Sequence, residues 1–383
     1  MANVLLFGGF VQVLSAAASL KRFGHRIVIA ARHDKVARRS RFKDLYIDMD
    51  NDSDPTIVEE ELVYIIRQQS IDVVIPMEDV QASCLSQIKQ SLEEKTQCRC
   101  AVMDWHLFEM VSDKQRLLAF CKQNGIAHPK TEAIDDNYDK IATVVGFPAL
   151  IKPNHSEGSK GIVMVHDKNE LQTVAPKIIE EYGESTLQEF IKNDHYYNLM
   201  IYRSSKGSFS NHAIIKVLRY YPIKGGSSSF SVAVEDEPMV KMCKNLLNKL
   251  NWVGMADFDI LEKEPGDYRV IEINPRVPAS LRGAEMSGVL FPEIIVEDLL
   301  KGEFPVYEYK TGNFLRFFGL DLAWFFASSD RFKCKPSWFR FFGRTTYYED
   351  GGLRDFPAMF TYFLQGVKKQ LTPEFRRSKA GLN

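Results

Sequence analysis

The stretch Val270-Ile271-Glu272-Ile273-Asn274-Pro275-Arg276 decides the fold prediction, because it forms the second half of a hairpin. Its apolar residues alternate with Glu272 and Asn274, and a spacing of two places both polar side chains on one face of a strand. The preceding strand, Gly254–Leu261, carries Asp257, and a short turn with proline and glycine joins the two strands. The hairpin therefore gathers oxygen-bearing side chains on one surface.

These side chains predict a divalent-metal site. Magnesium prefers a few protein carboxylates together with phosphate oxygens and water, which suits Asp257, Glu272 and Asn274 as ligands of Mg²⁺ (or Mn²⁺). Arg276 follows directly and is placed to hold a transferring phosphoryl group. A solvated hairpin face is the alternative, which the apolar neighbours of the acids disfavour. Asp259 shares the face of Asp257 but matches no known role, so it stays outside the predicted set.

A polar, glycine-containing loop lies upstream between two short apolar strands. The strands are Ala149–Lys152 and Gly161–Val165, and residues 153–160 read Pro-Asn-His-Ser-Glu-Gly-Ser-Lys. Lys152 ends the first strand, where its ammonium could meet nucleotide phosphates, and Lys114 is a second, separate cation. Either lysine alone would more often be a surface residue. Together with a metal and a covering loop they fit phosphoryl transfer from ATP.

The first part of the chain alternates strands and helices as a parallel α/β domain does. Val4–Phe7 is a β-rich run that ends at Gly8-Gly9, a helix pattern follows, and Ile27–Ala30 reads as the second strand. The pattern repeats with a helix over Val58–Gln68 and a strand over Asp72–Pro76. The full G-x-G-x-x-G fingerprint is missing, so we expect a Rossmann-like sheet without a dinucleotide.

A domain boundary is predicted near residue 111. Ser112 is expected to cap a new helix that has Asp113 in its first turn, and Gly125–Pro129 is expected to end it. The later predicted elements are a helix near Glu170–Tyr182, a strand Ser185–Ile191 and a helix around Pro238–Leu250.

Four motifs occur in a fixed order along the chain. They are Ser112-Asp113-Lys114 with Gly125–Pro129, Phe147–Pro153 with Gly158–Gly161, Leu187–Ile191, and Val270–Arg276. In this order and spacing they resemble the ATP-grasp superfamily of carboxylate–amine and carboxylate–thiol ligases, over residue 1 to about 303. The resemblance implies an α/β and α+β fold class with a Rossmann-like pre-ATP-grasp domain (1–111), a two-lobed ATP-grasp domain (112–303; small lobe about 112–187, large lobe about 188–303) and an aromatic, basic C-terminal extension (304–383).

The resemblance also implies roles for individual residues. The residues that it places around ATP are Lys114, Lys152, Ser156, Gly158, Ser159, Gly161, Gln188, Glu189, Phe190 and Ile191. It makes Lys152 and Arg276 catalytic, and it makes Asp257, Glu272 and Asn274 ligands of one or two Mg²⁺ ions. An acidic ribose-binding residue often follows the hinge in the family, but this chain has Lys192 there, so the ribose contact is not assigned.

The implied activity is an ATP-dependent carboxylate–amine ligase that forms an amide or peptide bond through an acyl phosphate. Its partners would be small-molecule carboxylate and amine substrates, such as an amino acid or a cell-envelope precursor. Candidate substrate residues are Glu78 with the adjacent Asp79, Arg219, Ser227 and Arg282. A carbamoyl-phosphate synthase-like phosphorylating subunit and a non-catalytic nucleotide-binding scaffold remain alternatives. The scaffold would be indicated by loss of a magnesium ligand, and the predicted ligands are in place.

Beyond Pro305 the composition changes, since 13 of the 26 phenylalanines lie between Phe314 and Phe375 among basic residues. The favoured interpretation is that these aromatic residues pack helices such as Asp355–Lys369 onto the rest of the protein. The alternative is contact with an anionic membrane interface.

Overall composition gives no sign of a nucleic-acid partner, because the formal net charge is -1. No apolar run approaches the length of a spanning helix, and the apolar N-terminal run leads into a glycine turn as a core strand does. The six cysteines lack metal-binding spacing and are expected to be buried free thiols in the cytosol. We therefore expect a cytoplasmic protein, peripheral to the membrane if the extension binds lipid, and leave a homodimer open.

Overall fold

The structure is a computed structural model that describes residues 1–51, 53–155, 161–192, 195–223, 226–349 and 352–371. The strands of these ranges are β1 (Asn3–Phe7), β2 (Arg26–Ala31), β3 (Leu45–Asp48), β4 (Val73–Pro76), β5 (Arg99–Cys100), β6 (Thr131–Ala133), β7 (Ala149–Pro153), β8 (Val163–Val165), β9 (Ser185–Glu189), β10 (Tyr196–Arg203), β11 (Phe209–Tyr221), β12 (Ser227–Val234), β13 (Gly254–Glu264), β14 (Asp267–Asn274), β15 (Phe314–Arg316) and β16 (Thr346–Tyr348). The α-helices are α1 (Gln12–Arg22), α2 (Pro55–Gln69), α3 (Asp79–Thr96), α4 (Trp105–Ser112), α5 (Lys114–Gln123), α6 (Tyr138–Val145), α7 (Lys168–Tyr182), α8 (Glu237–Lys249), α9 (Leu281–Met286), α10 (Phe291–Lys301), α11 (Phe318–Ala327) and α12 (Phe356–Leu371).

The N-terminal sheet has five parallel strands in the order β3-β2-β1-β4-β5. Successive residues of β1 point to opposite faces, as the strand period requires. Val4 and Leu6 join a core with α1, whereas Leu5 and Phe7 join the core formed by α2 and α3. This sheet, with helices on both faces, confirms the predicted Rossmann-like α/β architecture.

The second sheet has four antiparallel strands in the order β6-β9-β7-β8. Helices α6 and α7 cover it through a separate small core that includes Ile141, Ala149, Leu171 and Leu187. The sheet ends with β9 at Glu189, two residues beyond the boundary expected for the small lobe.

The third sheet has seven strands in the order β14-β13-β10-β11-β12-β15-β16. Its first five strands pair antiparallel, and β15 and β16 come from the C-terminal extension. Helix α11 packs on β11 and β12. The extension therefore continues the seven-stranded sheet and is not a separate appendage.

The boundary helix begins one residue later than predicted. Asp113 is the N-cap of α5, and its carboxylate accepts a hydrogen bond from Arg116 N at 2.8 Å. Ser112, the expected cap, is instead the last residue of α4. The two helices abut without a loop, and a carboxylate caps as well as a hydroxyl does, so the sequence pattern could not separate the two positions.

The aromatic residues of the extension divide into buried and exposed groups. Trp338 is buried, and its ring lies 4.1 Å from Phe325 and 4.7 Å from Phe341 between centroids. This packing agrees with the favoured interpretation. Phe332 and Phe342, however, are 71% and 90% exposed. No helix in the described ranges combines the length and apolar character needed to cross a bilayer.

Candidate active site

The hairpin of β13 and β14 carries the acidic face of the site. Its register pairs Asp257 with Asn274 and Asp259 with Glu272, so all four side chains lie on one face. Asn274 Nδ2 donates to Asp257 Oδ2 at 3.3 Å, and Asn198 of β10 donates to Asp259. The predicted grouping of Asp257, Glu272 and Asn274 on one face is observed, and Asp259 belongs to the same group.

Burial affects the acids of this face more strongly than the positive charge nearby does. Asp257 is 2% exposed, and burial, followed by the charge of Asp259, raises its pKa well above the usual range. Burial and the nearby Glu272 raise the pKa of Asp259 to about 7. Asp257 Oδ1 is buried without a hydrogen-bond partner in the described part of the chain. A divalent cation would relieve both features.

The described residues contain no set of three His, Cys, Asp or Glu side chains arranged to hold a metal by themselves. Magnesium does not require such a set, because it commonly takes one or two carboxylates and completes its shell with water and substrate phosphates. The oxygen chemistry of this face, with its unpartnered Asp257 oxygen, therefore fits Mg²⁺ that arrives together with a phosphate ligand.

Two lysines face these acids from separate elements. Lys114 begins α5, is 9% exposed, and has its Nζ 3.4 Å from Glu272 Oε1. Lys152 lies on β7, and its Nζ donates to Gln188 Oε1 on the neighbouring strand β9. Burial lowers the pKa of Lys152 to about 8, although Glu272 acts in the opposite direction. The fold thus brings both predicted lysines toward the acidic hairpin.

The hinge that follows β9 is held by contacts within the protein. The amide of Glu189 donates to the Lys130 carbonyl at 2.8 Å, and the amide of Phe190 donates to the Pro148 carbonyl at 3.3 Å. The Glu189 carboxylate forms an ion pair with Lys263 at 2.5 Å. The Glu189 side chain therefore binds Lys263 of β13, and the Gln188 side chain accepts the hydrogen bond from Lys152.

The predicted phosphate-covering loop falls mostly outside the described residues, which include neither Ser156, Gly158 nor Ser159. Its far end is described at Gly161, where φ is +71° and an added Cβ would lie 2.8 Å from the Pro153 ring. Glycine is thus required at this position. On the near side, His155 Nε2 lies 3.2 Å from Asp113 Oδ2, which ties the loop to the start of α5.

The N-terminal sheet domain contributes to the site through Asp79, which binds Arg276 at the end of the β13–β14 hairpin. Arg276 Nε and Nη2 contact the two Asp79 carboxylate oxygens at 2.8 and 2.9 Å. Glu78, the residue before, accepts a hydrogen bond from Gly9 N at 2.8 Å. An added Cβ on Gly9 would lie 2.0 Å from Asp34. In a dinucleotide-binding Rossmann turn, backbone amides at this position bind the pyrophosphate. Here the amides of Gly9 and Phe10 already donate to the carboxylates of Glu78 and Asp34.

Three of the tentative substrate residues lie apart from this cluster. The prediction that Arg219 contacts substrate does not fit the structure. Arg219 is 3% exposed, and its guanidinium donates to the two Asp321 carboxylate oxygens at 2.7 and 3.1 Å. Its role is to hold α11 against β11. Ser227 is exposed at the start of β12. Arg282 is 7% exposed on α9 and lines a different cavity, described below.

Three site residues were missed from the sequence, namely Asp259, Asn198 and Tyr196. Asp259 was detectable, because it lies two positions after Asp257 on the same strand face. Burial and the charge of Asp259 raise the pKa of the Tyr196 phenol well above its usual value. Tyr196 and Asn198 reach the face from β10 only through strand pairing, which no local pattern reveals.

Comparison with known proteins shows which families the region around this site is similar to. Residues 111–280 match the ATP-grasp domain family. The chain is 22% identical over 179 residues to the N-terminal section of the carbamoyl phosphate synthase large chain of Methanopyrus kandleri, covering 44% of this chain and 32% of that protein. It is 23% identical over 281 residues to the 3-methyl-D-ornithine--L-lysine ligase of Methanosarcina mazei, covering 72% and 66%. The chain thus spans about a third and about two thirds of the length of these relatives.

Solved structures share the fold over most of the chain. The biotin carboxylase domain of 2-oxoglutarate carboxylase from Hydrogenobacter thermophilus, a dimer in complex with MgADP, ADP and bicarbonate, superposes with a TM-score of 0.67. The similarity covers 82% of this chain and 73% of that one at 16% identity, a level that establishes the common fold. The family match over residues 111–280 and this common fold together show an ATP-grasp domain in that part of the chain.

Proposed function

We propose that the protein is an ATP-dependent carboxylate–amine ligase that forms an amide or peptide bond through an acyl phosphate. The observation that carries the proposal is the meeting of Lys114 and Lys152 with the acidic face of the β13–β14 hairpin, where Lys114 Nζ lies 3.4 Å from Glu272. Cations for phosphates and oxygen ligands for a metal are the parts that phosphoryl transfer requires.

In this proposal ATP lies between the two lobes. Lys114 and Lys152 would bind its phosphates, and the hinge Gln188–Ile191 would border the adenine. Since the amides of Glu189 and Phe190 are already bonded, Ile191 is the hinge position to which we assign the base contact. Asp257, Glu272 and Asn274, joined by Asp259, would hold Mg²⁺. The metal would neutralise charge on the phosphate oxygens.

The residues around the γ-phosphate would position the reacting groups. A substrate carboxylate oxygen attacks the γ-phosphorus and ADP leaves. An amine then attacks the acyl carbon, and phosphate leaves as the new C–N bond forms. Arg276, fixed by Asp79 from the other domain, would contact the transferred phosphoryl group. Because Arg276 lies at the domain junction, the acceptor and the acyl phosphate would meet beside the N-terminal domain. We propose that this domain covers the acyl phosphate and protects it from water.

The choice of an amine acceptor rests on one relative. The Methanosarcina mazei protein, which aligns with 72% of this chain, is named for joining 3-methyl-D-ornithine to L-lysine. We extend that chemical class, an amino acid as carboxylate or amine, to this protein. The carbamoyl phosphate synthase relative keeps a bicarbonate-phosphorylating function as the second candidate.

The test is ADP release from ATP and Mg²⁺ with pooled amino acids in one arm and bicarbonate with ammonia in the other. We expect stimulation by an amino-acid pool and its loss in Lys152→Ala. Lys122→Ala, a surface lysine of the same lobe paired with Glu132, should keep full activity. Stimulation by bicarbonate alone would favour the second candidate. No stimulation in either arm, or equal rates in Lys152→Ala and wild type, would contradict the ligase proposal.

We further propose that the extension contacts an anionic membrane surface, bringing the ligase to a lipid-linked or envelope-precursor substrate. Phe326, Phe332 and Phe342 are 73%, 71% and 90% exposed. The exposed basic side chains between or just after them are Lys333, Lys335, Arg340 and Arg344. Aromatic rings that stand in water beside several cations suit the headgroup region of anionic lipid.

Vesicle flotation tests this contact. The protein should float with phosphatidylserine-containing vesicles, less so at high salt, and weakly with phosphatidylcholine alone. Phe326→Ser/Phe342→Ser should reduce flotation at least about tenfold, given the apolar area removed. Tyr64→Ser, which replaces a 67% exposed ring on the N-terminal domain, is the matched control. Equal flotation of the double variant and wild type would refute the contact. The Hydrogenobacter domain, which shares the fold, is a dimer, and this supports a homodimer as the proposed oligomeric state.

A further inference from the structure

A second cavity lies where the N-terminal domain, α9 and the C-terminal extension meet. It has a volume of about 380 Å³, within the range of small-molecule sites. Its lining contains none of the lysines, acids or hinge residues of the candidate active site. The cationic side chains that line it are Lys21, Arg22, Arg41, Arg282 and Arg354.

The charges at this cavity do not balance. Lys21 contacts Asp44 at 2.6 Å, and Arg22 and Arg282 share Glu285 at 2.7 and 2.6 Å. Arg41 and Arg354 form no ion pair with another described residue. Asp355 also lines the cavity, and it accepts hydrogen bonds from Ser40 Oγ and Arg41 N. Five cations against these three carboxylates leave a formal excess of two positive charges.

Two buried polar atoms of the lining lack partners. Arg282 is 7% exposed and its Nε has no hydrogen-bond acceptor among the described residues, and Ser15, 2% exposed on α1, has an unpartnered Oγ. Buried donors are almost always satisfied, so such atoms call for a ligand or water. A guanidinium N–H and a hydroxyl that face a cationic cavity suit an acceptor-rich anion.

We infer that this cavity binds a phosphate- or diphosphate-bearing ligand at a site separate from that of ATP. The two excess charges match the dianion of a phosphate monoester. Arg41 from the N-terminal domain and Arg354 from the extension would grip it from opposite sides, and Arg282 would hold its buried end. The ligand would thereby join the extension to the rest of the protein. The inference does not depend on the proposed ligase activity.

The experiment is calorimetric titration of the whole protein with inorganic pyrophosphate. Arg41→Gln/Arg354→Gln replaces two exposed arginines and should fold. Arg39→Gln/Arg344→Gln, two exposed arginines outside the cavity, is the matched control. Lys152→Ala identifies any pyrophosphate bound at the ATP site. We expect binding in wild type, the control and Lys152→Ala, and at least a tenfold weaker Kd in Arg41→Gln/Arg354→Gln, with ADP formation unchanged.

A second arm with phosphatidate vesicles distinguishes the source of the phosphate. Every protein in this arm also carries Phe326→Ser/Phe342→Ser, so that the proposed membrane contact of the extension does not supply the binding. Binding of phosphatidate but not pyrophosphate, lost in Arg41→Gln/Arg354→Gln, would identify a lipid headgroup as the ligand. Binding of pyrophosphate would identify a free phosphate compound. Two results would overturn the inference: binding of both probes that is unaffected by Arg41→Gln/Arg354→Gln, and absence of binding to either probe.

Discussion

Two clusters of buried charge in this protein differ in whether they are complete, meaning here that the buried carboxylate is in contact with a cation. In the extension, Arg219 and Arg316 share Asp321, which is fully buried, with contacts of 2.7 and 2.9 Å. The excess positive charge is met by backbone carbonyls of Trp338 and Arg340 and by the ring of Phe230, 4.0 Å from the Arg219 guanidinium. Arg316 Nε has no hydrogen-bond partner among the described residues, although its guanidinium contacts Asp321. At the active site, by contrast, Asp257 and Asp259 lie side by side, and Asp257 Oδ1 has no hydrogen-bond partner in the described part of the chain.

The difference shows which cluster is built for the fold and which for a ligand. A complete ion cluster stabilises the fold only while every member is present. Removal of one member leaves the other charges buried without a counter-charge or water, which lowers the free energy of unfolding. An incomplete cluster costs stability on its own and is relieved when a ligand supplies the missing charge. Substitution should therefore act on activity at one cluster and on stability at the other.

The largest expected effect is on activity at the incomplete cluster. Glu272→Gln removes a proposed metal ligand and should lower ADP formation at least about 100-fold, roughly 2.7 kcal/mol in the barrier. Stability should change by less than about 1 kcal/mol, since loss of the ion pair with Lys114 is opposed by removal of a charge that hinders ionisation of Asp259. The same change at Glu264, exposed at the end of β13, should leave the rate unchanged. Wild-type turnover by Glu272→Gln would show that the metal site is elsewhere.

At the complete cluster the expected effect is on stability. Asp321→Asn keeps the shape of the side chain but leaves two arginines buried without a counter-charge, which should cost about 3–5 kcal/mol. Chemical denaturation followed by fluorescence reports it, because Trp324 and Trp338 lie in this cluster. Asp330→Asn, exposed in the same extension, is the control. A loss below about 1 kcal/mol, the range of surface pairs, would mean that the cluster is not structural.

An intermediate case is Asp79, which links the domains through Arg276. Asp79→Asn keeps one hydrogen-bond acceptor but removes the charge that orients the guanidinium, so we expect about a tenfold loss of ADP formation, or ~1.4 kcal/mol. Stability should fall by less than about 1 kcal/mol, because the pair is partly exposed. Asp104→Asn, a surface partner of Lys89, should change neither quantity. Unchanged kinetics in Asp79→Asn would mean either that Arg276 takes no part in the reaction or that its orientation does not depend on Asp79.

The sequence predicted those parts of the site that depend on local patterns. The hairpin with Asp257, Glu272 and Asn274 was predictable because a strand period of two places i and i+2 together. Lys152 at the end of β7 and Lys114 at the start of a helix followed from strand and helix boundaries. The helix expected over Val58–Gln68 is observed as Pro55–Gln69, capped by Asp54.

What could not be predicted depends on contacts between distant segments. Arg219 had the composition of a substrate residue, and only the return of α11 onto β11, 102 residues later, shows that Asp321 occupies it. Strand β16 joins the large sheet through a parallel pair with β15 that no turn signal marks. The edge strand Arg99–Cys100 has only two residues, too few to show a period.

The smallest predicted effect concerns the reactivity of the thiols. It reports whether the cluster of Arg219, Arg316 and Asp321 shields Cys334 from a reagent in solution. Five of the six cysteines are buried, and for this reason they should not react with a thiol reagent in the native protein. Burial also raises the pKa of Cys121 to about 12, whereas a hydrogen bond with Cys100 lowers that of Cys98, which is 2% exposed. Cys334 is partly exposed, with its sulfur 3.9 Å from Arg219 Nη1, so one thiol should react, at a limited rate. In Asp321→Asn the same thiol should react roughly tenfold faster, because release of Arg219 loosens the segment around it. A rate that is the same in both proteins would mean that access to Cys334 does not depend on the ion cluster, and reaction of several thiols would mean that opening extends to the core.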